Sequence, residues 1–138
     1  MNKYEFAVGR RKTSTASVKL IHNWEGNYQI TKPNGTTVSL KDYFGGNEYL
    51  YLDAMYPIFT LGENLSKTYD AAIKVSWGGP KWQAESIRLA FARALISINP
   101  ESRAQLKPLW LLKRDPRRKE RKKPGLFWAR KRPQWSKR

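Results

Sequence analysis

Pro80 opens a stretch in which the next 18 residues contain no further helix breaker, and Gly78-Gly79 directly before it mark the sharpest boundary in the chain. A proline suits the first position of a helix, where its missing N–H would have had no intrahelical partner. The stretch therefore predicts one long helix. With Ile87 taken as the centre of a face, Ala84, Phe91, Ala94, Leu95 and Ile98 fall within about 80° of it at 100° per residue. Leu89 and Ile96 lie on the opposite side, with Arg88 and Arg93 between the two stripes. A helix that is apolar on two sides must be covered on both. The chain before it can supply a sheet. The chain after it, starting at Asn99-Pro100-Glu101 and carrying Leu106 and Leu109, can supply the second cover.

The preceding residues do read as strands. Tyr4, Phe6 and Val8 alternate with Glu5 and Ala7, the period of a half-buried strand. Gly9-Arg10-Arg11-Lys12 interrupts it, and Ser14, Ala16, Val18 and Leu20 resume the alternation on one face. This predicts a hairpin whose turn displays three consecutive cations. Such a turn is either plainly solvated or, because adjacent like charges repel, a contact for a polyanion. Tyr28-Gln29-Ile30 and Thr37 to Leu40 flank Pro33-Asn34-Gly35, a turn signal between a third strand and its partner. Lys41 to Phe44 make one helical turn, Gly45-Gly46-Asn47 end it and cap a helix from Glu48, and Pro57 is expected to stop that helix. Ile58, Phe59 and Leu61 form an apolar run, and Tyr69 to Val75 a strand with Ala71, Ile73 and Val75 facing inward. The expected architecture is α+β: a mixed β-sheet packed by helices, followed by a long extended basic tail. Residues 1–112 form the globular part and 113–138 the tail.

The tail carries 13 Lys and Arg against only Asp115 and Glu120, a net +11 out of the chain's +16. Pro116, Pro124 and Pro133 prevent a continuous helix through it. It cannot bury enough apolar surface to fold alone, and its like charges keep it extended. The rest, about a hundred residues, suffices for one modest core. A pI near 10.3 points to a polyanionic partner. With no cysteine, disulfides and thiolate chemistry are excluded. No apolar run approaches the roughly 20 residues that cross a bilayer, and the N-terminal MNKYEFAVGRRK has no signal or transit character. The expected setting is the compartment of synthesis.

Catalytic constellations are lacking in the sequence. His22 is the single histidine and has no cysteine to share a metal with. The acids are scattered singly, with no pair placed for acid–base work or magnesium. Neither Gly9–Thr13 nor Gly78–Gln83 has the spacing of a P-loop. Gly78-Gly79-Pro80 serves equally as an anion-binding helix start or as a tight structural turn. No cofactor is expected. In the tail, by contrast, clustered cations are interleaved with Phe127, Trp128 and Trp135, a combination that neutralises phosphates and stacks on bases. Pro124 and Pro133 leave too little helix for a membrane-surface segment, and no motif for reading a DNA groove is present. Structured RNA is the favoured partner. The rivals are a general nucleic-acid or membrane-surface binder and a small nucleic-acid-processing enzyme.

Several stretches carry a more specific signal. Gly9-Arg10-Arg11-Lys12-Thr13, Gln83 to Leu95, Leu111 to Arg117, Glu120 to Leu126, Ala129-Arg130-Lys131 and Pro133 to Arg138 resemble, in order and spacing, the ribosomal small-subunit protein S-nine family. The resemblance implies a non-enzymatic α+β domain in the head of the small subunit, packed on ribosomal RNA beside neighbouring ribosomal proteins, in a bacterial-type cytoplasmic ribosome or, alternatively, an organellar one. It also implies a tail threading inward to the anticodon stem of peptidyl-site tRNA. Carried over by position, Arg10, Arg11, Lys12, Thr13, Arg114, Arg117, Arg118, Lys119, Arg121, Lys122, Lys123, Phe127, Trp128, Arg130, Lys131, Arg132 and Trp135 would touch rRNA. Ser136, Lys137 and Arg138 would reach tRNA. The departures from the family are mostly tryptophans. Trp77, Trp82 and Trp110 stand where glycine is usual, Trp128 where a small or basic residue is common, and Trp135 in place of phenylalanine. The loop at 24–35 is also longer.

Overall fold

The long helix after Pro80 is α4, Pro80–Ile98, with its proline in the first turn. The computed structural model describes residues 4–23 and 25–137, with backbone only at Glu63. Ahead of α4 run β1 (Tyr4–Arg11), β2 (Ser14–His22), β3 (Tyr28–Thr31), β4 (Thr37–Ser39), α1 (Leu40–Tyr43), α2 (Glu48–Leu61), α3 (Glu63–Thr68) and β5 (Tyr69–Ser76); α5 (Ser102–Leu106) follows it. One five-stranded sheet has the order β1-β2-β5-β3-β4. Only the β3–β5 pair is parallel. The mixed sheet with packed helices is the expected α+β architecture.

The core lies between sheet and helices. Ala16, Val18 and Leu20 of β2, Ala71, Ile73 and Val75 of β5, and Ile30 of β3 meet Ala84, Ile87, Phe91, Ala94 and Leu95 of α4. Both apolar stripes of α4 are covered. The second is sealed partly by Leu106, as expected, but its other cover is Leu111, packed with Leu106 and Ala92. Leu109 is instead exposed.

Two further readings of the sequence are corrected, and a third point is an element the sequence reading lacked. The first concerns the hairpin. β1 does not stop at Gly9 but pairs through Gly9↔Ala16 and Arg11↔Ser14, so the turn is Lys12-Thr13 alone. The inward face of β1 is Ala7, Gly9 and Arg11, while Tyr4 and Phe6 are exposed. Glycine is required there because a Cβ on Gly9 would stand 2.0 Å from the Ser86 carbonyl oxygen and 2.6 Å from the Ala90 nitrogen of α4. The second concerns Pro57, which lies inside α2 and is buried there. Packing of Ala54, Met55, Pro57 and Ile58 into the interior outweighs the lost helical hydrogen bond. The third is α3, a short helix that the sequence pattern did not announce.

The turn before α4 has a structural explanation. Gly78 has φ of 75°, and a Cβ on it would press on the Ser14 Cβ at 2.9 Å. Ser14 and Ser86 share a buried hydroxyl contact of 2.9 Å, and Ser86 donates onward to the Gln83 carbonyl at 2.8 Å. With its own proton so used, Ser86 accepts from Ser14. Gln83 in turn donates to the carbonyls of Trp77 and Gly78 at 3.2 and 3.3 Å. The hairpin tip, the turn and the start of α4 are thereby tied into one rigid corner.

Candidate nucleic-acid interface

Because the strand continues through Arg11, that residue shares the inward face with Ala7 and Gly9 and is only 8% exposed. A buried guanidinium needs acceptors, since an unpaired charge in the interior is strongly disfavoured. Arg11 finds them on two other segments. Its Nε donates to Glu85 Oε2 of α4 at 2.6 Å, and its Nη2 lies 3.1 Å from Asp115 Oδ2. Its Nη1 donates to the carbonyls of Arg117 at 3.1 Å and of Asp115 at 3.4 Å. One side chain thus joins the hairpin tip, the start of α4 and the root of the basic segment. Arg118 adds a second tie, donating from Nη2 to the Lys12 carbonyl at 3.1 Å.

Asp115 is held by Arg117 as well. Hydrogen bonds from the Arg117 side chain and backbone, with the Arg11 charge adding to them, bring the Asp115 carboxyl from an ordinary 3.8 down to about 2. The same contacts raise the Arg117 guanidinium. Farther along, Arg130 grips Glu120 through two bonds of 2.8 and 2.6 Å and pushes its carboxyl down. Both tail acids are therefore spent on internal pairs. The intervening Pro124-Gly125 makes a turn, with Gly125 at φ of 76° and the Leu126 N–H donating to the Lys123 carbonyl.

Beside the Arg11 junction is an open surface cavity of about 480 Å³. Lys12 from the hairpin tip, Lys81 and Trp82 from the first turn of α4, and Arg117, Arg118 and Lys119 from the tail line it, together with Arg11 and Glu85. Three cations converge on the Trp82 ring: Lys12 Nζ at 3.7 Å, the Arg11 guanidinium at 5.0 Å and Lys81 Nζ at 5.4 Å from its centroid. Sequence reasoning missed Lys81, Glu85 and Asp115 as site residues and had Trp82 only as a departure from the family. The usable signal was the period of two carried one step further. It places Arg11 opposite the buried Ser14, and a buried arginine demands acids elsewhere.

The other expected contacts are distributed as follows. Arg10 and Thr13 are exposed at the hairpin tip. Arg114 is half-buried, and its Nε has no acceptor among the described residues. Arg121, Lys122, Lys123, Lys131, Arg132, Ser136 and Lys137 are exposed, as are Phe127, Trp128 and, at 98%, Trp135. Residues 113–137 contain neither helix nor strand. Arg138 lies outside the described residues. Trp77 and Trp110 are 79% and 76% exposed, and both sit in the left-handed region, at φ of 63° and 58°. The backbone at these two positions has the conformation that glycine adopts most readily. Among the described residues there is no group of His, Asp or Glu that could hold a metal ion, and no helix is long and apolar enough to cross a membrane.

Comparison with known proteins covers nearly the whole chain. The family model described as ribosomal protein S9/S16 matches residues 9–138. The protein of Gloeothece citriformis named small ribosomal subunit protein uS9 is 44% identical over 137 residues, spanning 96% of this chain and 91% of its own length. Proteins of the same name from a Cyanothece species and from Prochlorococcus marinus are 47% and 46% identical, covering 95% and 96% of this chain and 90% and 92% of their own. The match takes in the hairpin tip, α4 and the basic segment together, so the chain belongs to the ribosomal protein S9/S16 family.

Proposed function

We propose that this protein is a structural, non-enzymatic constituent of the head of the small ribosomal subunit. In this reading it binds and stabilises ribosomal RNA, and its C-terminal tail reaches peptidyl-site tRNA. Membership of a ribosomal family supports the first part directly. The observation that carries the rRNA reading is the distribution of charge: +11 of the net +16 sits in residues 113–138, whose two acids are already paired with arginines. The remaining tail cations are left for phosphates. Exposed Phe127, Trp128 and Trp135 provide ring faces for unpaired bases.

The tail acts as a unit distinct from residues 1–112, with its root docked on the hairpin and its length available to follow RNA. Beyond the docked root, the 19 residues from 120 to 138 could reach up to roughly 63 Å if the Glu120–Arg130 pair opened and they became fully extended. Ser136, Lys137 and Arg138 then meet tRNA phosphates, while Arg10, Lys12, Thr13 and the cations from Arg114 to Arg132 meet rRNA. The setting is a bacterial-type cytoplasmic ribosome, with ribosomal proteins of the head as neighbours. Small subunits purified from the source and washed at high salt test this reading. Retention of the chain at one copy per subunit is expected, and its loss in the wash would refute it.

A further inference from the structure

We infer that the cavity around Trp82 is a binding site for an RNA backbone phosphate, assembled from three distant segments, and that Arg11 positions those segments instead of touching the phosphate itself. The inference rests on the rRNA-binding reading above and names a site within it.

The cations gathered here exceed what the protein neutralises. Among the described residues, Glu85 is the only acid lining the cavity, and its carboxylate is taken by Arg11. Lys12, Lys81 and Lys119 have no carboxylate partner among the described residues. Lys12 and Lys81 lean on the Trp82 ring instead. Cation–π attraction at a partly exposed ring is weak beside a charge-assisted bond to phosphate, so both ammonium groups are free to turn toward an anion. Like charges held around one cavity repel one another, and a phosphodiester entering between them relieves that repulsion while the indole packs against the adjoining ribose or base.

Arg11 differs from these lysines. Its guanidinium is buried and bonded to two carboxylates and two carbonyls. Turning it to a phosphate would strand Glu85 and release the tail root. What it does in place is bring Arg118 and Lys119 to within reach of Lys12 and Lys81, more than a hundred residues earlier in the case of Lys12. Arg11 is therefore a positioning residue, and Lys12, Lys81, Arg118 and Lys119 are the phosphate-binding cations.

The test is binding of the full chain to a small-subunit rRNA transcript across a salt series. Removing one cation that neutralises a phosphate lowers the slope of log affinity against log salt by about 0.7 to 0.9. Because several cations share the one phosphate, Lys12→Ala and Lys81→Ala should each lower the slope by part of that amount, and together by no more than all of it. Glu85→Ala and Asp115→Ala discriminate by sign. Each removes a negative charge beside a phosphate site, so charge alone predicts tighter binding, whereas disruption of the junction predicts weaker binding with a smaller slope. Arg11→Lys should weaken binding too, because it keeps the charge but not the fork. Should Glu85→Ala fail to fold, Glu85→Gln replaces it, with thermal unfolding as the control. Tighter binding by the acid variants, or unchanged slopes for both lysine variants, overturns the site while leaving the rRNA reading intact. Equal affinity and slope on duplex DNA overturns the RNA assignment. No binding by the unaltered chain overturns both.

Discussion

Gly9 of β1 and Ser86 of α4 approach so closely that a methyl group on the glycine would stand 2.0 Å from the serine carbonyl oxygen. That approach sets the distance between strand and helix, and with it the depth at which Arg11, two residues on, meets Glu85. Backbone on both sides leaves nothing flexible to yield. Gly9→Ala should therefore destabilise the domain by roughly 3 kcal/mol, the upper end of overpacking costs. Urea denaturation measures it. A decrease below about 1 kcal/mol would mean that α4 can slide on β1.

Trp77 and Trp110 hold left-handed backbone with their side chains largely in solvent. A residue with a Cβ incurs about 1–2 kcal/mol there, whereas glycine costs about 0.5–1 kcal/mol in unfolded-chain freedom. Trp77→Gly and Trp110→Gly should each raise stability by about 0.5 kcal/mol, read from the denaturation midpoint. A clear drop in midpoint would show that indole packing outweighs the strain.

The root of the tail should respond to acid. The folded Asp115 carboxyl sits at about 2 against an ordinary 3.8, first because Arg117 bonds to it and to a lesser degree because of the Arg11 charge. Its ionised form therefore favours the Asp115–Arg117 turn and, in smaller part, the docked root, fully so above the ordinary value. That contribution fades as pH falls through the window from about 4 to about 2. Amide exchange at Arg117, whose N–H donates to the Asp115 carboxylate at 2.9 Å, followed at several pH values and compared with the intrinsic rate at each, should show protection at pH 5 that disappears across this window. Asp115→Asn should abolish the step. Release of the root between pH 5 and 7 would assign the docking to some other group.

Most of the fold was legible in the sequence because it rests on local periodicity. The two stripes of α4, the inward Ser14-Ala16-Val18-Leu20 of β2 and the Asn47 cap of α2, whose side chain accepts from the Leu50 N–H, are all short-range patterns. The failures occur where tertiary packing decides. Pro57 stays inside α2 because the surrounding side chains are buried, which no propensity records. Arg10-Arg11-Lys12 reads as a cationic turn until Glu85 and Asp115, 74 and 104 positions away, are known to meet its middle member. The tail was legible as charge. Its docking on the hairpin was not, because that depends on the buried Arg11 side chain and on the Arg118 bond to the Lys12 carbonyl, contacts between residues more than a hundred positions apart.

If the tail tip reaches tRNA, removing it should separate two activities. Deletion of Ser136 to Arg138 leaves the Arg11 junction and the pairing of Arg130 with Glu120 untouched. Subunits carrying the truncated chain should assemble normally and release peptidyl-site tRNA faster. An unchanged tRNA dissociation rate would argue against contact by the tip.

The most direct measurement is a density map of the small subunit isolated from the source after a high-salt wash. The account predicts this chain in the head. Lys12, Lys81, Arg118 and Lys119 should surround an rRNA phosphate, with Arg11 still bonded to Glu85 and Asp115 and the tail running along RNA beyond Lys119. A subunit lacking the chain, or one in which Arg11 has left Glu85 for a phosphate, would contradict it.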